Sequence, residues 1–189
     1  MQTKIENTSL NGVKIITPTR HHDMRGFFSE IYNKRSLKGL IGSIEFVQDN
    51  HSVSINKNII RGLHFQAPPY AQDKLVRVGV GAILDVVVDI RNGSPTYGKW
   101  LSIELSSENG KQIFIPCGFL HGFKTLKKNT ELLYKCSNYY EPKVEHTVNY
   151  NDSDLAIDWK LGKKNAIVSN KDLGGKGFKT LDSPFLYEG

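Results

Sequence analysis

Cysteine is scarce in this 189-residue chain: there are two, Cys117 and Cys136, in no CxxC or metal-ligand spacing. That excludes a disulfide scaffold and a thiolate zinc site, and it suits a reduced, cytoplasmic setting. Long apolar runs are missing, and residues 1–6 hold no hydrophobic leader core. Neither a membrane span nor a secretion signal is therefore expected, and the chain reads as soluble. Clustered basic charge is also lacking. The net charge is +6, yet no basic run exceeds the pairs Lys127 with Lys128 and Lys163 with Lys164. So dispersed an excess suits a small anionic ligand such as a nucleotide, and no nucleic-acid motif accompanies it. Repeats and low-complexity segments are absent. At this length one domain over residues 1–189 is expected, able to bury about 70% of its unfolded surface without covalent staples.

What the chain does contain is a succession of short strand-like runs. Residues 13–17 read as a first strand stopped by Pro18. A polar turn over 19–24 leads to a second strand over 25–32, with Arg25, Phe27, Ser29 and Ile31 on one face and Phe28, Glu30 and Tyr32 on the other. Residues 34–40 make a short helix candidate. The run 45–54 is extended, with Gln48 and Asn50 on one face, which suits either a site wall or a solvated surface. Residues 82–90 are apolar enough for a buried strand, 100–105 alternate, and Asn109-Gly110 is the strongest hairpin signal, ahead of a strand at 112–115. Runs at 119–123 and 130–137 follow, and from about residue 173 the chain reads as irregular, Gly- and Lys-rich tail. Many short strands punctuated by Gly, Pro and Asn indicate an all-β antiparallel sandwich or barrel.

The chemistry concentrates in residues 61–74. Alternation sets Arg61, Leu63 and Phe65 against Gly62, His64 and Gln66, and Lys74 lies beyond the Pro68-Pro69 bend. His64 has no HxH partner and no nearby Glu, so the usual barrel ligand set for a metal is missing. A metal-free set of His, Lys and Tyr suits proton transfer beside a carbonyl. Imidazole is the base best matched to neutral pH, Lys74 is the best candidate to stabilise an enolate, and a tyrosine such as Tyr134 suits return of the proton on the opposite face. An orienting carboxylate is needed, and Asp172 is one of several on offer. Each residue also has an ordinary structural explanation: Tyr134 as a core aromatic, His121 as a turn histidine, Asp172 as a solvated charge.

Seven motifs then occur in one order. They are Arg25-Gly26-x-Phe28-x-Glu30, Gln48-Asp49-Asn50, Arg61-Gly62-Leu63-His64-Phe65-Gln66, Lys74, Pro116-x-Gly118-Phe119-x-His121-Gly122-Phe123, Tyr134-Lys135-x-x-x-Tyr139-Tyr140, and Asp154-Leu155-x-Ile157-Asp158-Trp159. Together they resemble the dTDP-4-dehydrorhamnose 3,5-epimerase family, over about residues 13–172. The resemblance implies a cupin-type jelly-roll barrel with a few short helices, needing no metal or cofactor and working as a homodimer. It implies a dTDP-linked 4-keto sugar as substrate, epimerised at C3 and C5 on the way to dTDP-L-rhamnose. By the same resemblance His64 is the base, Asp172 its dyad partner, Tyr134 the acid, and Lys74 the group facing the sugar carbonyl. Arg25, Phe28, Glu30, Gln48, Asn50, Arg61, His121, Glu145 and Lys171 match substrate-binding positions, and Tyr140 matches the residue that stacks on thymine. Relatives that invert only one carbon share most of these residues, and a non-catalytic sugar-nucleotide binding barrel stays the alternative from outside enzymes.

Overall fold

The computed structural model describes residues 3–189; residues 1 and 2, where the reading for a leader begins, lie outside them. Two six-stranded sheets face each other. The first runs β1 (Lys4–Asn7), β2 (Lys14–Thr17), β10 (Gln112–Ile115), β7 (Lys74–Val80), β12 (Thr130–Cys136) and β5 (Gln48–Ser54). The second runs β13 (Glu145–Thr147), β6 (Ile59–Gln66), β11 (Phe119–Thr125), β8 (Ala82–Asp89) and β9 (Trp100–Ser106), with β14 (Ile167–Val168) parallel to β6. Apart from β14, every paired strand in the two sheets is antiparallel, as the strand pattern predicts, and the fold is the jelly-roll barrel that the family resemblance implies. Among the described residues no helix is long and apolar enough to cross a membrane.

Alternation along the strands divides the apolar side chains among three clusters. Between the sheets, Ile15, Val76, Val78, Ile113 and Leu132 meet Ile83, Val87, Leu105, Phe119 and Phe123. Outside the second sheet, Leu63, Leu84, Val86 and Leu120 are covered by Val148, Leu155 and Trp159, with Phe178, Leu181 and Phe185 from the chain after residue 173. Because β8 is covered on both faces, all eight of its residues are buried, which is why it reads as an unbroken apolar run. Outside the first sheet, α1 (Lys34–Ile41) lays Leu37 against Ile16, Leu75 and Phe114. The Asn33 side chain caps α1 by accepting from the Arg35 and Ser36 amides.

Two sequence expectations give way. Asn109-Gly110 does not close a hairpin: β9 pairs with β8 and β10 pairs with β2 and β7, so the turn carries the chain from one sheet to the other. Asn109 still does the work of a turn residue, its side-chain oxygen accepting from the Ser106 and Lys111 amides, but local turn chemistry says nothing about which strand lies alongside. Nor do residues 25–32 form one strand after a polar turn. The extended part is only β4 (Gly26–Phe28), and its partner β3 (His21–Asp23) comes from within the supposed turn. Every residue of this hairpin is exposed, because no further strand or core lies beside it to extend the pairing past Phe28.

Leu105 is fully buried between the sheets. Leu105→Ala is expected to lower the unfolding free energy by roughly 2–5 kcal/mol, read by urea denaturation; a loss well under 1 kcal/mol would show that the sheets are not packed there.

Candidate active site

Where the apolar filling stops, one end of the barrel opens into a cavity of about 660 Å³. The strand period that sends Val76 and Leu132 into the core sends Lys74 on β7 and Tyr134 on β12 into this cavity from the first sheet. Gln48 and Asn50 follow from β5, where Asn50 pairs in register with Tyr134. His64 and His121 come from the facing sheet, paired in register on β6 and β11.

Arg61 lines the same cavity, against the expectation that alternation would turn it away from His64. The reason is a β-bulge. From His121 to Phe123 β11 advances two residues, while β6 advances three, from His64 back to Arg61, so the alternation of β6 changes phase. Ile60 and Leu63, three apart, then both enter the outer core. Gly62 sits at the bulge with φ +117°, and a Cβ there would stand 2.6 Å from Gly122 Cα and 2.7 Å from the His121 carbonyl oxygen. Only glycine tolerates both that approach and that backbone.

Asp172 lies on the single-turn α2 (Asn170–Leu173), capped by Ser169, and is 4% exposed. Its Oδ1 is 2.7 Å from His64 Nε2, and the Gly62 amide donates to Oδ2 at 3.3 Å. Burial works against the charged carboxylate, but the hydrogen bonds from His64 and Gly62 outweigh it and hold Asp172 below the usual aspartate range. An ionised Asp172 accepts from Nε2–H and leaves Nδ1 of His64 as the basic nitrogen. Burial pushes the Lys74 ammonium below the ordinary amine range and raises the Tyr134 phenol. At the cavity mouth Glu145 ties two further residues: Tyr140 O–H donates to its Oε2 at 2.7 Å, and Lys171 Nζ pairs with the same oxygen. Burial disfavours the Glu145 charge, and these two donors overcome it, holding the acid below its usual range.

Eleven of the fourteen residues singled out from sequence thus meet at one cavity: His64, Asp172, Tyr134, Lys74, Gln48, Asn50, Arg61, His121, Tyr140, Glu145 and Lys171. Arg25, Phe28 and Glu30 are not among its lining. Arg25 and Phe28 lie on or beside the exposed hairpin, where Phe28 is 73% exposed and Arg25 pairs with Asp23. Sequence reasoning passed over Gln66, whose amide donates to the Tyr70 and Tyr139 carbonyls while its oxygen accepts from the Glu141 amide, fixing the loops at the mouth. It also passed over Asp85, 2.8 Å from His121 Nε2. The available signal was a lone carboxylate inside the apolar run 82–88. Among the described residues no group of three or more His, Cys, Asp and Glu is arranged to hold a metal ion.

A carboxyl whose pKa is lower folded than unfolded adds stability above its unfolded value, near 3.9 for aspartate, and loses it as pH falls through the folded value. The margin in melting temperature of the native protein over Asp172→Asn is therefore expected to shrink as pH drops below about 4. A margin constant from pH 7 to pH 2.5 would contradict the depressed pKa.

Comparison with known proteins identifies the family. The profile of the dTDP-4-dehydrorhamnose 3,5-epimerase family matches residues 7–180. The dTDP-4-dehydrorhamnose 3,5-epimerase of Salmonella typhimurium is 50% identical over 157 residues, covering 82% of this chain and 85% of that one. A crystal structure of dTDP-6-deoxy-D-glucose-3,5-epimerase from Legionella pneumophila, in complex with dTDP-4-keto-L-rhamnose, superposes with a TM-score of 0.94 at 43% identity, covering 100% of both chains. A 3'-monoepimerase from Streptomyces bikiniensis, in complex with dTDP-quinovose, gives a TM-score of 0.86 at 32% identity, over 92% of this chain and 87% of that one. The ordered motifs, the jelly roll and the matched profile lead to one conclusion: the chain belongs to the dTDP-4-dehydrorhamnose 3,5-epimerase family.

Proposed function

We propose that this chain converts dTDP-4-dehydro-6-deoxy-D-glucose to dTDP-4-dehydro-L-rhamnose by inverting C3 and C5. One observation carries the reading: a carboxylate-oriented imidazole and a protonated phenol stand on opposite walls of one cavity, with a desolvated lysine between the same sheets. His64 Nδ1 removes the proton from the carbon next to the ketone, and the C–H electron pair moves through the new C=C bond onto the C4 oxygen. Lys74 donates to that oxyanion; the low pKa that burial imposes on it makes the N–H a stronger donor there. Tyr134, whose raised pKa keeps the phenol protonated at neutral pH, returns a proton to the other face and the carbon inverts. Asp172 holds the imidazole and balances the charge it gains. These steps move only protons, so none calls for a redox cofactor.

The dTDP moiety fits the mouth. Arg61 and Lys171 suit the diphosphate, and the exposed ring of Tyr140 suits the thymine face. Gln48, Asn50, His121 and Glu145 offer hydrogen-bond partners to the rest of the ligand. Arg25 and Phe28 do not reach the cavity from the outlying hairpin of their own chain, and Glu30, exposed beyond that hairpin, does not line it either. A homodimer is the arrangement that gives them a role: the exposed apolar tip Met24, Phe27 and Phe28 suits burial against a second copy, whose cavity they would then border. The two free thiols agree with a cytoplasmic location.

Inversion at a single carbon is the second reading, favoured by the likeness to the 3'-monoepimerase. Incubation of the 4-keto sugar nucleotide in D2O, followed by NMR, separates them. Deuterium is expected at both C3 and C5; label at one carbon supports the single inversion, and none overturns the enzyme reading. His64→Ala is expected to reduce exchange by roughly 10²–10⁴-fold while dTDP still binds.

A further inference from the structure

Asp85 is the one charged residue in the apolar run Ala82–Val88, and it faces the space between the sheets with Ile83 and Val87. It is 0% exposed. Its Oδ2 lies 2.8 Å from His121 Nε2, and its Oδ1 has no hydrogen-bond partner among the described residues. A carboxylate half-satisfied in an apolar interior weakens the fold, and a Leu or Val here would continue the strand's own pattern. His121, by contrast, reaches the substrate cavity in register with His64. We propose that Asp85 is a positioning residue for the reaction: it accepts from His121 Nε2–H and so presents Nδ1, as an acceptor, to a sugar hydroxyl beside His64. The inference rests on the epimerase reading above.

Two observations support a role beyond packing. First, the arrangement repeats that of His64 and Asp172, in which a buried carboxylate also pairs with Nε2 of an imidazole that lines the cavity. The two imidazoles stand side by side on paired strands, each with its own acid behind it. Second, Asp85 is close enough to Lys74 to act on it: burial drives the lysine's pKa down, and the carboxylates of Glu145 and Asp85 oppose that fall. One carboxylate therefore bears on both a substrate-facing histidine and the lysine assigned to the ketone. A purely structural histidine needs neither.

Asp85→Asn tests the assignment, because the carboxamide N–H2 donates to Nε2, moves the ring proton to Nδ1, and turns an acceptor toward the sugar into a donor. The expected result is a fall in kcat of about 10- to 100-fold, less than for loss of the base itself, with the Kd for dTDP within about twofold of the native value. Nitrogen NMR of labelled histidine is expected to show Nε2–H for His121 in the native protein and Nδ1–H in the variant. Asp85→Leu, which suits the apolar interior, is expected to melt no lower than the native protein yet to lose kcat to a similar degree. A merely structural carboxylate predicts the reverse, lost stability with kcat kept. Retention of kcat within twofold in both variants, or an Nδ1–H tautomer in the native protein, overturns the proposal. Native enzyme run alongside separates the two readings: no exchange in it refutes the epimerase assignment, while the tautomer still decides Asp85.

Discussion

The site hangs on the close approach of β6 and β11 at Gly62 and Gly122. Side chains on either strand there would hold the backbones apart: a Cβ on Gly122 would stand 2.9 Å from the Arg61 carbonyl oxygen, as one on Gly62 would collide with Gly122. With both absent, β6 takes in one extra residue, and the change of phase brings Arg61 into the cavity that already holds His64. The same step turns the Gly62 amide toward Asp172. A feature of two glycines thus supplies a cation to the cavity wall and a second donor for the Asp172 carboxylate.

Charge inside the barrel is handled by pairing. Asp172 with His64, Asp85 with His121, and Glu145 with Lys171 and Tyr140 each set a carboxylate against a donor that also lines the cavity. Surface pairs such as Lys4 with Glu6 contribute about 0–1 kcal/mol and nothing here depends on them. Leaving either buried carboxylate, Asp172 or Asp85, without its histidine costs more, roughly 3–5 kcal/mol, because the remaining charge has no water to turn to. That difference in magnitude is why the buried pairs, few as they are, set the orientation of the two cavity histidines. Lys74 is the exception that proves useful: with no ion pair of its own among the described residues, it is left to desolvation, which makes it a stronger donor.

Much of this was legible without coordinates. Alternation and turn residues marked most strands of the two sheets, though not β1, β13 or β14, because an antiparallel strand covered on one face must alternate. His64, Lys74, Tyr134 and Asp172 stood out by chemical type and by their place in ordered motifs. The hairpin at residues 21–28 was misjudged because its partner strand is polar and exposed and carries no hydrophobic period. Asp85 went unnoticed because eight buried residues in a row mask which face each one occupies.

By itself, the order of residues determined the class of fold and the family, since both follow from local period and from motifs that keep their types and sequence. Tertiary structure alone decided which strands lie side by side, that Asn109-Gly110 turns between sheets, and that Asp172 reaches His64 across more than a hundred residues. The physical reason is range. Period and turn chemistry act over a few residues, whereas the dyad, the bulge and the Asp85–His121 pair exist only once distant strands are brought within hydrogen-bonding distance.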